Sequence, residues 1–478
     1  MKTEQENGVR APCGSEVQRG GSVNGPSVDI DELLDGPKLS GIQWVAVILA
    51  ALAAAMDGFD GQLIGFAIPS LLRDWAISRE AVAPVVAAGL FGMAIGSVSV
   101  GALADRYGRR IALICSIGLF GLSTVAMGAA RSVEVLAILR FLAGLGIGGA
   151  LPCAAIIAVE FAPARLRSIV VTATVVSYPV GGIVAGLLSA RLLSSAGWRG
   201  LFVLGGILPI LFSFLLFAAL PESPRYLVRQ HGRNNELRRL LARIRGPIPD
   251  GTHIIDASER EANTNGQNVR LTDLYSRQWL RDSVALSAVF FMCLLALYSA
   301  YSWLPAMLVS AGMDARVASG GLTAYNLGGL VGALLCAWLV GRGGSRLILL
   351  GASSGAVSSA FLLSRLFPEM GAVALIVTIG VHGFFVSGVQ GPMYALAAHL
   401  YPTEMRARGI GAATGFGRLG AIVSAFAGAS IITLGGATGF FALLAVAMLL
   451  ALLSIALIQR HIPPRERART AAGEVQPG

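Results

Sequence analysis

Long apolar runs alternate along the chain with short polar breaks. A helix that crosses the hydrocarbon core of a bilayer needs about 20 mostly apolar residues. Twelve runs meet that length, at roughly 42–72, 81–104, 110–130, 133–158, 168–192, 199–220, 282–309, 316–340, 346–366, 371–398, 408–433 and 437–459. One long polar segment, 221–281, is Arg-rich, carries Asn-Gly and Pro turns, and divides six runs from six. The pattern predicts an all-α membrane protein whose twelve transmembrane helices form two six-helix bundles. Its parts are an N-terminal tail over 1–40, a first bundle over 41–220, a linker over 221–281, a second bundle over 282–459 and a C-terminal tail over 460–478.

An internal repeat supports the division into halves. Ala158, Pro163 and Arg167, after the fourth run, recur at a constant offset as Ala397, Pro402 and Arg406 after the tenth. More loosely, Asp105-Arg106-Tyr107-Gly108-Arg109-Arg110 matches Gly341-Arg342-Gly343-Gly344-Ser345-Arg346, where the acid has been lost. Two related bundles joined by a polar linker are a common plan among membrane carriers.

Composition excludes a soluble protein. Of 478 residues 55% are hydrophobic and 13% charged, against about 25% charged in soluble domains. Sixty glycines suit close helix–helix approach in a bilayer. The formal charge of +10 resides in particular loops with no aromatic-interleaved basic groove, so no nucleic-acid partner is expected. Basic residues favour the tails, the linker and the even-numbered loops, which predicts both termini in the cytoplasm of a bacterial inner membrane. Residues 1–40 lack a hydrophobic signal core, so no cleavable signal peptide is expected. Cys13 is in the polar tail; Cys115, Cys153, Cys293 and Cys336 fall in apolar stretches without CxxC spacing and read as small buried hydrophobes. Nothing resembles a metal cluster, a nucleophilic triad or a phosphate loop, so neither cofactor nor enzymatic activity is expected.

The informative residues are charges inside the apolar runs. Asp57 and Asp60 sit in the middle of the first, three apart and therefore on one helical face. Charge at mid-bilayer costs about 2.5–3.5 kcal/mol on insertion scales, so such a pair is either a proton-exchanging site or is solvated or paired to an arginine near the outer end. Arg418 interrupts the eleventh run; an arginine there keeps its proton and must find an anion, either a substrate carboxylate or one of the two aspartates. Arg140 opens Arg-x-x-x-Gly144-x-x-x-Gly148 on the fourth run; the glycines read as packing, and the arginine either faces the interior as a substrate-binding residue or snorkels outward. Tyr298, Tyr301, Trp303, Tyr325, Asn326, His382, Gln390 and Tyr394 in the second half each read singly as packing residues. As a set they suit a cavity for a planar aromatic solute.

Gly101 to Arg110 resembles the signature loop of the major facilitator superfamily, and the Arg140 motif and Pro221-Glu222-Ser223-Pro224-Arg225 fit the same assignment. Within it, Asp57-Gly58-Phe59-Asp60 with Ile64-Gly65-Phe66 and Pro69 is similar to the first-helix signature of the aromatic acid:proton symporters. So are Ile30-Asp31 through Gln43, Tyr401 to Arg406, and Gly417-Arg418-Leu419-Gly420. The resemblance implies a carrier, functional as a monomer, that takes up benzoate-like carboxylates with protons as its two bundles rock about a central cavity. It gives Asp57 and Asp60 the proton sites and Arg418 the carboxylate. Asp105, Arg106, Gly108, Arg109 and Arg110 would latch the cytoplasmic side against the start of the eleventh span, with Glu160, Arg167, Glu404 and Arg406 completing the charge network. The missing acid at Gly341 departs from the family pattern. Rival readings are a sugar or other organic-acid facilitator, a drug exporter and a transporter-like chemoreceptor.

Overall fold

The computed structural model describes residues 27–464 except 37, 231, 248, 250, 251 and 257–270, without the side chains at 27, 271, 272, 368, 403 and 404. Cys13 and the side chain of Glu404 therefore lie outside the described residues. Ten spans are separate helices. The first half holds α1 (Gly41–Trp75), α2 (Arg79–Tyr107), α3 (Arg109–Met127), α4 (Val133–Phe161), α5 (Arg167–Ser195) and α6 (Gly197–Ala219). The second half holds α7 (Leu280–Ser310), α8 (Ala315–Gly343), α9 (Ser345–Leu366) and α10 (Ala372–Leu400). The last two run together over Thr403–Leu457 and part at Gly436, whose φ of 56° and ψ of −146° are open to glycine. We call 403–435 α11 and 437–457 α12. All twelve expected spans are present.

Serine hydroxyls start several of these helices by accepting an otherwise unpaired amide: Ser40 from Gln43, Ser78 from Ala81 and Ser132 from Val135. Gln43 completes a capping box on α1, and its amide also donates to Leu34 O at 3.2 Å and Phe161 O at 2.9 Å. One side chain thus ties the start of α1 to the tail and to the end of α4. Within the halves, glycines set the helix spacing. Gly144 and Gly148 of α4 lie against the backbone of Gly89 and Met93 on α2, so the stripe after Arg140 is a packing seam. Cys153, Cys293 and Cys336 are buried as expected, but Cys115 is exposed. A span has an apolar lipid face as well as a packed one, so an apolar neighbourhood does not fix burial.

The halves meet away from the linker. Gly65 of α1 lies on the Tyr301 carbonyl of α7, Gly186 of α5 on Thr323 of α8, and Thr433 of α11 donates to Glu80 of α2 at 2.5 Å. Between them Gln62 and Asn326, both fully buried, exchange amide hydrogen bonds at 3.1 and 2.7 Å. We call this end the far face.

The tail and the linker, which read as separate segments in sequence, pair with each other. Ser27–Asp29 forms a parallel two-stranded ladder with His253–Ile255. Asp31, in the short helix Ile30–Leu34, takes both Arg167 and Arg225 at 2.7 Å. Arg245, at the end of the linker helix Asn234–Arg245, donates to the carbonyls of Glu32 and Asp35 at 2.9 and 2.6 Å. The C-terminal tail folds back in the same manner: Ser345 N–H donates to Ile462 O at 3.0 Å, and Ile462 N–H to the Ser345 hydroxyl at 2.9 Å.

Candidate functional site

Asp57 and Asp60 are both buried at mid-helix on α1, but they have different surroundings. Asp60 turns into its own bundle. Thr124 of α3 donates to its Oδ1 at 2.6 Å, and Arg140 of α4 approaches its Oδ2 at 3.5 Å while donating to the Gly61 carbonyl at 2.9 Å. Arg140 is therefore an interior residue, 5% exposed, and does not snorkel. Among the described residues Asp57 makes no ion pair, and its Oδ1 has no hydrogen-bond partner. Gly58 beside it presses on the Tyr178 carbonyl of α5, and Gly181 of α5 presses on the Ala55 carbonyl of α1. The two helices cross there without intervening side chains, which sets the Tyr178 side chain next to the acids.

Arg418 reaches this region from the other half. Gly417 and Gly420 of α11 rest on Phe290 and Phe291 of α7, so close contact flanks the arginine. Its charge acts on Asp57, Tyr298 and Tyr394. It has no ion pair or side-chain hydrogen bond among the described residues. Neither aspartate is bonded to it in this conformation. Around the two charges stand rings. Tyr301 lies 6.3 Å from Tyr178, 5.9 Å from Tyr298 and 5.9 Å from Tyr325, and Phe290 lies 5.2 Å from Tyr394. An aromatic enclosure with one unpaired guanidinium is chemically suited to a planar anion.

The remaining sequence candidates divide. Gln390 keeps a buried carbonyl oxygen without a partner. Asn326 is engaged by Gln62. Trp303 is fully buried against Gly428 of α11. His382 sits behind Tyr325, at 6.1 Å, with Nδ1 against the Ser359 hydroxyl at 3.0 Å. The structure places these last two behind the ring cluster.

At the linker face Asp105 bonds Arg109, four residues along its own chain, at 2.5 Å and is 65% exposed. Among the described residues no ion pair joins this loop to α11, and Arg406 is exposed and makes none. The network forms between the first half and the linker. Glu160 approaches Arg109 at 3.8 Å and accepts the Ser223 hydroxyl; Arg110 N–H donates to Glu222 at 3.0 Å; and the Tyr226 hydroxyl donates to the Arg106 carbonyl at 3.1 Å. Arg167 pairs with Asp31 of the tail rather than with Glu160. Gly108 has a φ of 106° and would meet the Glu222 carboxylate with any Cβ, so glycine is required twice over. That carboxylate caps the first turn of α3, where the helix dipole favours an anion. In the second half Gly344, φ 80°, faces the Ile462 carbonyl in the same way, while Gly341 has nothing around it. The C-terminal tail stands where the linker stands in the first half.

Sequence reasoning missed Thr124, Gln62, Tyr178 and Asp31 as partners, and quoted Glu222 without a role. Gln62 and Tyr178 were detectable as polar groups inside apolar runs. Thr124 carried no signal, because a threonine in a helix can bond its own backbone.

Two six-helix halves with buried charges between them define a carrier of the major facilitator type. Residues 46–459 match the family described as Sugar (and other) transporter. The gallate transporter of Pseudomonas putida is 32% identical over 429 residues, covering 90% of this chain and 94% of the relative. The 4-hydroxybenzoate transporter PcaK of Pseudomonas aeruginosa is 33% identical over 425 residues, covering 86% and 93%. Among solved structures, the inward-open xylose transporter XylE from E. coli superposes with a TM-score of 0.71 at 18% identity, covering 90% of this chain and 99% of that one. This chain belongs to the sugar (and other) transporter family, and its relatives bear out the resemblance to aromatic acid symporters. It is a multi-pass membrane transporter, not an enzyme.

Proposed function

We propose that this chain is a proton-coupled symporter that imports a small aromatic carboxylate, of the benzoate or hydroxybenzoate kind, across a bacterial inner membrane by alternating access. It works as a monomer, with both termini and the linker in the cytoplasm, so the far face is the external one. The observation that carries the reading is the unpaired Arg418 guanidinium set among tyrosines, with Asp57 within reach of its charge. Relatives named for gallate and 4-hydroxybenzoate support the cargo class.

Arg418 serves two anions in turn. In the empty carrier its charge and that of Asp57 offset each other across the cavity. When the cargo carboxylate takes the guanidinium in a bidentate contact, Asp57 becomes a second anion beside one cation, and like charges in close quarters favour protonation of one of them. Proton and cargo then travel together, which is the coupling symport requires. Asp60, held by Thr124 and Arg140, is assigned to keeping that part of α1 in place. Asp105, Arg109 and Glu160 close the cytoplasmic side when the halves rock the other way.

The test is uptake of labelled benzoate and 4-hydroxybenzoate into proteoliposomes, with and without an inward proton gradient. Gradient-driven accumulation is expected for the wild type, and its loss for Asp57→Asn and Arg418→Gln at normal expression. Sugar uptake indifferent to Arg418→Gln would overturn the reading.

A further inference from the structure

At the far face the two halves line a partly open cavity of about 180 Å³. Phe66 and Arg73 of α1 and Ser189 of α5 line it from one half, and Arg316 and Ser319 of α8 from the other. No acidic side chain is in the lining. Neither arginine has a side-chain hydrogen bond or ion pair among the described residues. The acid next to Arg73 in sequence, Asp74, is occupied in accepting the Trp198 indole N–H at 2.9 Å. Ser189 is fully buried, yet its hydroxyl has no partner. Buried hydroxyls are nearly always satisfied, so this one leaves an unused hydrogen-bonding group at the cavity wall.

A cavity of about 150 Å³ is enough to hold benzene, so this one has the volume for a ring with a carboxylate. Two exposed arginines in a lining that has no acid raise the local concentration of anions and speed their capture. Phe66 supplies an aromatic wall, and Gln62 with its partner Asn326 stands deeper on α1 as the barrier between this cavity and Asp57.

We propose that this cavity is an external waiting site that holds a small aromatic monocarboxylate between Arg73 and Arg316 before the halves part at that face. The inference rests on the orientation and cargo class proposed above. Because the arginines belong to different halves, parting separates them, loosens the anion and releases it toward Arg418.

Two measurements test it, both with labelled benzoate. In proteoliposome uptake, Arg73→Gln/Arg316→Gln is expected to raise KM fivefold or more with the loss in kcat/KM carried by KM, and Arg73→Lys/Arg316→Lys to recover most of it. In equilibrium binding to detergent-solubilised Arg418→Gln protein, weak binding is expected to persist and to vanish when both arginines are also replaced. An unchanged KM in the glutamine pair, or no binding by the Arg418→Gln protein, overturns the waiting site. If the glutamine pair does not reconstitute, Ser189→Ala decides: a KM raised at least twofold supports the site and an unchanged one overturns it. Absence of wild-type benzoate uptake is a separate outcome and sinks the proposed function itself.

Discussion

Asp57 and Asp60 show how little sequence spacing says about a side chain's partners. Three residues apart on α1, they differ by about 60° around the helix, which suffices to send one toward Arg140 and Thr124 and the other toward the half that carries Arg418. Breaking a buried pair by removing one member leaves an uncompensated charge and costs about 3–5 kcal/mol. Arg140→Gln should therefore lower the thermal midpoint of the detergent-solubilised protein sharply. Asp57→Asn should leave the midpoint near that of the wild type while abolishing coupled uptake. An Asp57→Asn protein that melts as early as Arg140→Gln would remove the division of roles. The sequence exposed all four charges, since a charge inside an apolar run needs a reason. It did not expose which acid belongs to which arginine, because that depends on two helices from different parts of the chain.

At the scale of elements, glycine positions were readable because they act locally or along one helix face. The Gly144 and Gly148 seam and the turn at Gly108 are of this kind. The Gln62–Asn326 bracket is not, as its members lie on α1 and α8 of different halves. Each amide satisfies the other, so truncating one strands a buried polar group at a cost of about 1–3 kcal/mol. Gln62→Ala and Asn326→Ala should each destabilise the state closed at the far face, and the double variant should cost less than the sum of the two. The measurement is the rate at which an impermeant maleimide modifies Ser189→Cys in a background without other cysteines. Both single variants should react faster than the parent, and equal rates would show that the bracket does not hold that face shut.

For the whole molecule the question is how much charge crosses the membrane in one cycle. One proton on Asp57 with one monoanion on Arg418 moves none, so membrane voltage adds no driving force. A second proton would carry one charge, worth about 2.3 kcal/mol per 100 mV. Substrate addition to proteoliposomes on a solid-supported membrane should accordingly give no sustained current, and a steady inward positive current would require a second proton site. What the sequence alone determined is the architecture: twelve spans, two related halves, a polar linker, and charges placed where a bilayer makes them expensive. These follow from hydrophobicity and periodicity, which each segment carries by itself. The tertiary structure decided the pairings: Asp60 with Arg140, Gln62 with Asn326, the tail strand with the linker, Gly344 with the C-terminal tail, and Arg418 left without a side-chain bond among the described residues. Those depend on which faces meet when the halves pack, and no single segment contains that information.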